Sequence, residues 1–279
     1  MAATSNVEQA ETWNGDEGAH WVAHQARYDA MMQRLTPRLL DAADPATDDR
    51  TLDVGCGCGE TTRRLAGLTH PGLATGVDLS VPMLDRARQL AAAKQVGNVV
   101  FEQGDVQVYP FDDGTFDAAV SRYGVMMFAD PNAAFANIGR ALRHGGTLTF
   151  LCWQDALANE WLAVPAGAAL AHVPMPDLGG DGPGPFSLAD RDRLIQILDA
   201  AGWDDIDVQA VDEPMLMGQD PDDVVEFMRG TDLARGLLQS VPDETAQRAL
   251  DAMRDALVPF QRDDGVWLRS ASWLVRATR

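Results

Sequence analysis

Four things are scarce in this 279-residue chain, and each scarcity narrows what it can be. No apolar run reaches the roughly 18–20 residues that cross a bilayer, so no membrane-spanning helix is expected. The amino terminus, MAATSNVEQAETWNGDEG, has no basic segment leading into an apolar one, so no secretory signal is visible and a cytoplasmic location is predicted. Cysteine is limited to Cys56, Cys58 and Cys152, an odd set with two members only two residues apart. That argues against a disulfide framework and for reduced thiols. Positive charge is short as well: 22 basic residues face 42 acidic ones, and the formal charge of −20 makes nucleic acid and anionic membrane poor partners. The acids run from Glu8 to Asp264 rather than forming a tail, which suits solubility and selects no partner.

What is present is ordinary globular material, 46% hydrophobic, in a length able to bury a substantial core. Before residue 47 the pattern is helical, with Trp21, Tyr28, Met32 and Leu35 recurring along one face. From Thr51 short apolar runs alternate with amphipathic stretches, the mark of βα units in a parallel sheet. Strands are predicted at 51–54, 74–77, 99–103, 116–121 and 147–152, with a helix after each of the first four, and at 206–211 and 266–277. Ser80 is placed to cap one helix, and Asp130-Pro131 and Gly145 bracket another. A helix is expected from Ser187 to Gly202, and two more near 224–238 and 245–260. Residues 174–185, rich in proline and glycine, read as a loop. The expected organisation is a helical lid over 1–46, a core over 47–156, a cap insertion over 157–186, and a carboxy-terminal part over 187–279 with a helical insertion at about 213–262.

The chemistry gathers at strand ends. Leu52-Asp53-Val54-Gly55-Cys56-Gly57-Cys58-Gly59-Glu60 reads as strand, glycine turn and helix, the arrangement that brings backbone amides to a ligand. A dinucleotide G-x-G-x-x-G fails in both registers, because Glu60 or Thr62 takes the third glycine's place, and no Gly-Lys-Ser/Thr follows for a Walker loop. Asp53 would repel a pyrophosphate but suits a ligand carrying an ammonium and a sulfonium. Asp78 in Gly76-Val77-Asp78-Leu79-Ser80 ends the second strand and can accept both hydroxyls of a ribose. Gly104-Asp105-Val106 follows the third strand, and Phe116-Asp117-Ala118-Ala119-Val120-Ser121 ends with the fourth. All four sit at carboxyl ends of strands, where open α/β sheets bind ligands.

With these residues the chain resembles a class I S-adenosyl-L-methionine (SAM)-dependent methyltransferase of the ubiquinone/menaquinone-biosynthesis branch (methyltransferase domain types 11 and 25). The likeness covers about residues 51–153, including Leu142-Arg143-His144-Gly145-Gly146, and extends weakly to Trp13-Asn14-Gly15. It implies a Rossmann-like α/β fold: a seven-stranded, mostly parallel sheet, helices on both faces, the last strand antiparallel. It implies SAM as cofactor and a small-molecule acceptor, with no nucleic acid, membrane or metal; a homodimer is left open. By the same resemblance Gly55, Gly57 and Gly59 cradle the methionine and ribose parts, and Asp53 sits near the amino group. Asp78 holds the ribose beside Leu79 and Met83, Asp105 and the Val106 amide meet the adenine, and Ser121 lies beside the methionine and the acceptor. The chain departs from the family in the long insertion before the last strand, so the acceptor is the least transferable feature.

Other residues admit plainer readings. Cys56 and Cys58 read as small loop residues rather than metal ligands, there being no second cysteine pair. His20 and His24 share a helix face but lack the glutamate and third ligand of a metal site; they are candidates for a general base or for a structural pair. His144 suits the negative end of a helix dipole, and His172 could line the pocket. Tyr123, Met126, Met127, Phe128 and Trp153 offer an apolar wall for an acceptor, or core packing, with Tyr123 also a catalytic candidate. Arg122 could bind an acidic group on the acceptor, although a salt bridge to a neighbouring acid is the simpler expectation. Rival functions are a SAM-binding cyclase-like catalyst or regulator that transfers no methyl, an NAD-dependent oxidoreductase, and a nucleic-acid methyltransferase. The last is opposed by Ser121-Arg122-Tyr123-Gly124 standing where Asn/Asp-Pro-Pro-Tyr/Phe would be.

Overall fold

The computed structural model describes residues 6–174, 182–239 and 241–279. Four short helices come first: α1 (Val7–Asn14), α2 (Asp16–Ala23), α3 (Gln25–Met31) and α4 (Leu35–Ala43). Then β1 (Arg50–Val54), α5 (Glu60–Leu68), β2 (Leu73–Asp78), α6 (Val81–Ala93), β3 (Val99–Gln103), β4 (Phe116–Arg122), α7 (Pro131–Ala141) and β5 (Leu142–Trp153) build the first part of the sheet. After α8 (Glu160–Ala169) and α9 (Arg191–Ala200) the long strand β6 (Asp204–Gly218) is added. It is followed by α10 (Pro221–Arg229), α11 (Asp232–Gln239), α12 (Asp243–Leu257), the two-residue β7 (Gln261–Arg262) and β8 (Gly265–Thr278).

The strand order is β3-β2-β1-β4-β5-β8-β6, with β7 pairing off this path onto β8. β1 to β5 run parallel, and β8 runs antiparallel to both β5 and β6. The order reverses between β1 and β4, which puts the switch point of the sheet, where open α/β sheets bind ligands, at their carboxyl ends beside Asp53 and Ser121. Burial explains the central strands: Leu52, Val54, Ala119, Val120, Leu148, Phe150 and Leu151 are fully enclosed, as continuous apolar runs require in a covered parallel sheet.

Helix ends follow the local chemistry. Ser80 Oγ accepts from Met83 N at 3.4 Å with Pro82 in the first turn, and Asp130 Oδ1 accepts from Ala133 N at 3.0 Å ahead of α7. α9 starts at Arg191 rather than Ser187, because Asp190 caps the amides of Asp192 and Arg193. The helix expected after the third strand is absent. Residues 104–115 form a loop punctuated by Gly104, Pro110 and Asp112-Asp113-Gly114, pinned by Asn137 Nδ2 donating to the carbonyls of Val106 and Tyr109. The stretch expected at 224–238 divides at Gly230 into α10 and α11. Of the proline- and glycine-rich loop, residues 175–181 lie outside the described residues.

The added helices meet one another. α8 packs along α12, so both insertions adjoin. Arg27 on α3 donates to Met217 O at 3.0 Å and pairs with Asp223 at 2.9 Å. Glu17 on α2 accepts from Asp232 N at 2.9 Å and from Arg235 at 3.3 Å, which ties the amino-terminal helices to α11.

Candidate active site

The glycine turn is built around its backbone. Gly55, Gly57 and Gly59 all take left-handed φ values, 66°, 54° and 73°. At Gly55 the requirement is doubled, since a Cβ would lie 2.7 Å from Gly124 Cα. This close approach brings the loop after β1 against the turn after β4. Ser121 Oγ braces the same junction, donating to Val54 O at 2.7 Å and accepting from Gly124 N at 3.1 Å. Cys56 and Cys58 are buried free thiols whose pKa values burial pushes up, that of Cys58 to about 12.

Two carboxylates end adjacent strands. Asp53 is 1% exposed and accepts from Thr62 Oγ1 at 2.6 Å; burial lifts its pKa from 3.8 to about 7 against that hydrogen bond. Asp78 accepts from Gly57 N and from Ser80 N, each at 2.8 Å, and its pKa is also raised by burial. Neither belongs to an ion pair among the described residues. Ionised carboxylate oxygens have further acceptor sites, so Asp78 can still take ribose hydroxyls. A buried and a half-buried acid, neither in an ion pair, beside an amide-rich turn fit SAM, whose amino and sulfonium groups supply positive charge and whose ribose supplies hydroxyls.

Met83 closes on the turn, its Cε 2.9 Å from where a Gly57 Cβ would be, and Leu79 precedes the Ser80 cap. Asp105, 2% exposed, accepts from Gln107 N, from Gln107 Nε2 and from the Asn6 amide, each at 3.0 Å. Val106 is buried, with its carbonyl accepting from Asn137. Asn6, Thr62 and Gln107 escape sequence reasoning; only Thr62, one turn into the helix after the glycines, leaves a local trace. Trp13-Asn14 acquires a geometric role. Trp13 O accepts from Ser80 Oγ at 2.6 Å, and the Asn14 side chain bonds Leu79 O at 3.1 Å and Val81 N at 2.9 Å.

On the acceptor side, Tyr123 holds φ 64°, a costly conformation for an aromatic residue, and stacks on Trp153 at 3.8 Å. Its hydroxyl lies 2.9 Å from Ser272 Oγ, a residue that β8 brings opposite Trp153. Burial pushes the phenol's pKa up, so it stays protonated. Trp161 continues the row at 5.3 Å from Trp153, with Phe186 beyond it. Met126 is buried and Met127 and Phe128 partly so, on the turn after β4. Arg122 is not a free guanidinium: it pairs with Glu60 and donates to Thr36 Oγ1 at 2.8 Å.

The histidines lie elsewhere. The His20 and His24 rings lie 4.4 Å apart, tilted by 43°, and pack against Phe227, lining a cavity of about 380 Å³ with Arg27, Asp223 and Arg229. Burial, then His24 and the nearby arginines, lowers the pKa of His20 to about 4. This seam joins α2 to α10, while α2 meets α6 through Gly18, where a Cβ would sit 3.2 Å from Ser80 Oγ. His144 is exposed at the irregular start of β5, past the last turn of α7, whose cation is Arg140. His172 is exposed beyond α8.

A methyltransferase domain model matches residues 51–146. The demethylmenaquinone methyltransferase of Roseiflexus castenholzii is 31% identical over 61% of this chain and 74% of its own length. The ubiquinone/menaquinone biosynthesis C-methyltransferase UbiE of a Ruegeria species is 33% identical over 50% of this chain, which spans about half the length of that relative, 52%. Among solved structures, the YcgJ protein of Bacillus subtilis superposes with a TM-score of 0.60 at 19% identity, over 88% of this chain and 98% of that one, a likeness of fold. The chain belongs to the class I SAM-dependent methyltransferases, in the quinone-biosynthesis-like branch, with SAM as its cofactor and a small molecule as its methyl acceptor.

Proposed function

We propose that this protein holds SAM between Asp53, the 55–59 turn, Asp78 and Asp105, and transfers its methyl group to a small, largely apolar acceptor lying against Tyr123 and Trp153. The observation that carries the reading is the pair of carboxylates at the ends of β1 and β2, Asp53 buried and Asp78 half-buried, neither in an ion pair among the described residues. The sulfonium supplies an already activated methyl group. What the chain contributes is alignment of the acceptor and exclusion of water, and orientation alone provides about 7–11 kcal/mol. The contact between Gly55 and Gly124 bears on alignment, because it fixes the cofactor turn relative to the acceptor wall. The protonated Tyr123 hydroxyl acts as a hydrogen-bond partner, not a base. A planar acceptor suits the Tyr123–Trp153 stack, and the name of the Roseiflexus relative, a demethylmenaquinone methyltransferase, points the same way.

Helices α1–α4 and the two insertions serve as the cover, and residues 1–46 form its lid. We place the protein in the cytoplasm, acting on a diffusible acceptor either as a monomer or as a homodimer; no described helix is long and apolar enough to cross a membrane. Titration calorimetry with SAM and S-adenosylhomocysteine, comparing wild type with Asp78→Ala and using NAD as control, tests the site. Micromolar binding that the substitution abolishes is expected. Absence of SAM binding, or preference for NAD, would overturn the reading.

A further inference from the structure

Helix α1 is fastened at its two ends by polar contacts. None of its residues is buried, and Val7 is 55% exposed, so little apolar packing seats it. Just ahead of it Asn6, itself buried, donates its amide to Asp105 Oδ2 at 3.0 Å and its Nδ2 to the Met127 carbonyl at 2.5 Å. At the far end the Trp13 carbonyl accepts from Ser80 Oγ at 2.6 Å. There the Asn14 carboxamide bonds both Leu79 O, at 3.1 Å, and Val81 N, at 2.9 Å. A helix of eight residues is about 12 Å long. α1 thus bridges the loop that begins with Asp105 and the loop that follows Asp78.

The two ends are not equivalent. Trp13 meets the Trp21 ring edge-on at 5.8 Å, and α2 closes on the same stretch, since a Cβ on Gly18 would lie 1.9 Å from Trp13 O. α2 is in turn tied to α11 through Glu17. That end is an anchor. The other end has the two hydrogen bonds of Asn6, and a hydrogen bond exchanged against water has a small net value. Exposed Gly15 stands between the helices, closing α1 and opening α2, where a residue without a Cβ can absorb a change of backbone angle. Elements with little buried apolar contact are those that open locally while the rest of a fold stays closed. α1 has that character at its Asn6 end.

We propose that α1 is a strap, latched at Asn6 and turning about Trp13-Asn14-Gly15, whose opening sets the rate at which the cofactor enters and leaves. The proposal rests on the reading that SAM lies between Asp78 and Asp105. A gate differs from a ligand contact in its kinetics. Weakening a latch that is closed in both the free and the loaded protein speeds entry and exit alike, whereas losing a contact to the ligand speeds exit alone. The test is stopped-flow association and dissociation of S-adenosylhomocysteine with the full chain, as wild type, Asn6→Ala and Asn6→Asp. Asn6→Ala should raise both rate constants about 3–10-fold, the value of one hydrogen bond, and leave the dissociation constant within about twofold. Asn6→Asp sets a second carboxylate beside Asp105 and should raise both rates further. Amide exchange should quicken in α1 while β1 to β5 keep their protection, which also shows that the variants are folded. Variants that speed dissociation alone, or that leave both rates unchanged, would overturn the strap while leaving the cofactor assignment intact. Failure of wild type to bind S-adenosylhomocysteine would overturn both.

Discussion

Asp53 is a buried acid whose partner is a hydroxyl rather than a cation, and that gives the site a pH signature. Its pKa is raised on folding from 3.8 to about 7, so between these values the folded protein holds a proton that the unfolded chain has released. Stability of the ligand-free protein therefore declines as pH climbs through that window. Asp53→Asn should remove the decline, so the wild-type melting temperature should fall relative to the variant's between pH 5 and pH 8; parallel curves would refute it. In the proposed site the ammonium of SAM faces ionised Asp53, so wild-type affinity should rise by up to about tenfold per pH unit below pH 7, with a flatter profile for Asp53→Asn. Gly55→Ala is a steric counterpart. A left-handed φ and a Cβ 2.7 Å from Gly124 Cα should cost more than about 1 kcal/mol in a denaturant melt and weaken SAM binding. Asp53, Asp78 and the glycines were legible because strand, turn and helix are contiguous in sequence. Asn6 was not, because its amide meets Asp105 across 99 residues of chain.

At the scale of elements, the sheet could be read because each strand is a short apolar run between turn residues, and the observed strands contain all seven predicted ones. The helix expected after β3 fails for a local reason, since Gly104 faces the Tyr109 ring with no room for a Cβ and Pro110 follows. How the covering helices join was not legible, because the joints are single long-range pairs. Glu17 to Arg235 and Arg27 to Asp223 fasten the first helices to the second insertion, and Trp21 stacks on Tyr28 at 3.6 Å behind them. If these helices are the lid, deleting residues 1–46 should raise the SAM dissociation constant by an order of magnitude or more and abolish turnover; full affinity and turnover in the truncated protein would end the lid proposal. Arg235→Ala is milder. It should speed amide exchange in α2 and α11 and accelerate SAM release, while β1 to β5 keep their protection.

The whole molecule carries a formal charge of −20, and it binds a cofactor with a net positive charge. The sulfonium and ammonium of SAM outweigh its carboxylate, whereas S-adenosylhomocysteine has lost the sulfonium charge and is neutral overall. A negative field therefore draws in the methyl donor and is indifferent to the spent product. In the proposed placement Asp53 and Asp78 add negative charge to the cleft in which methyl transfer discharges the sulfonium. Long-range attraction is screened by salt, with a Debye length near 10 Å at 0.1 M, while contacts inside the crevice are screened far less. Stopped-flow association of SAM should therefore slow several-fold between about 20 and 300 mM salt, and association of S-adenosylhomocysteine should change little. Neutralising acids remote from the site should flatten the SAM dependence without altering its dissociation rate. Equal salt slopes for the two ligands would show that the acidic surface serves solubility alone and has no part in cofactor exchange.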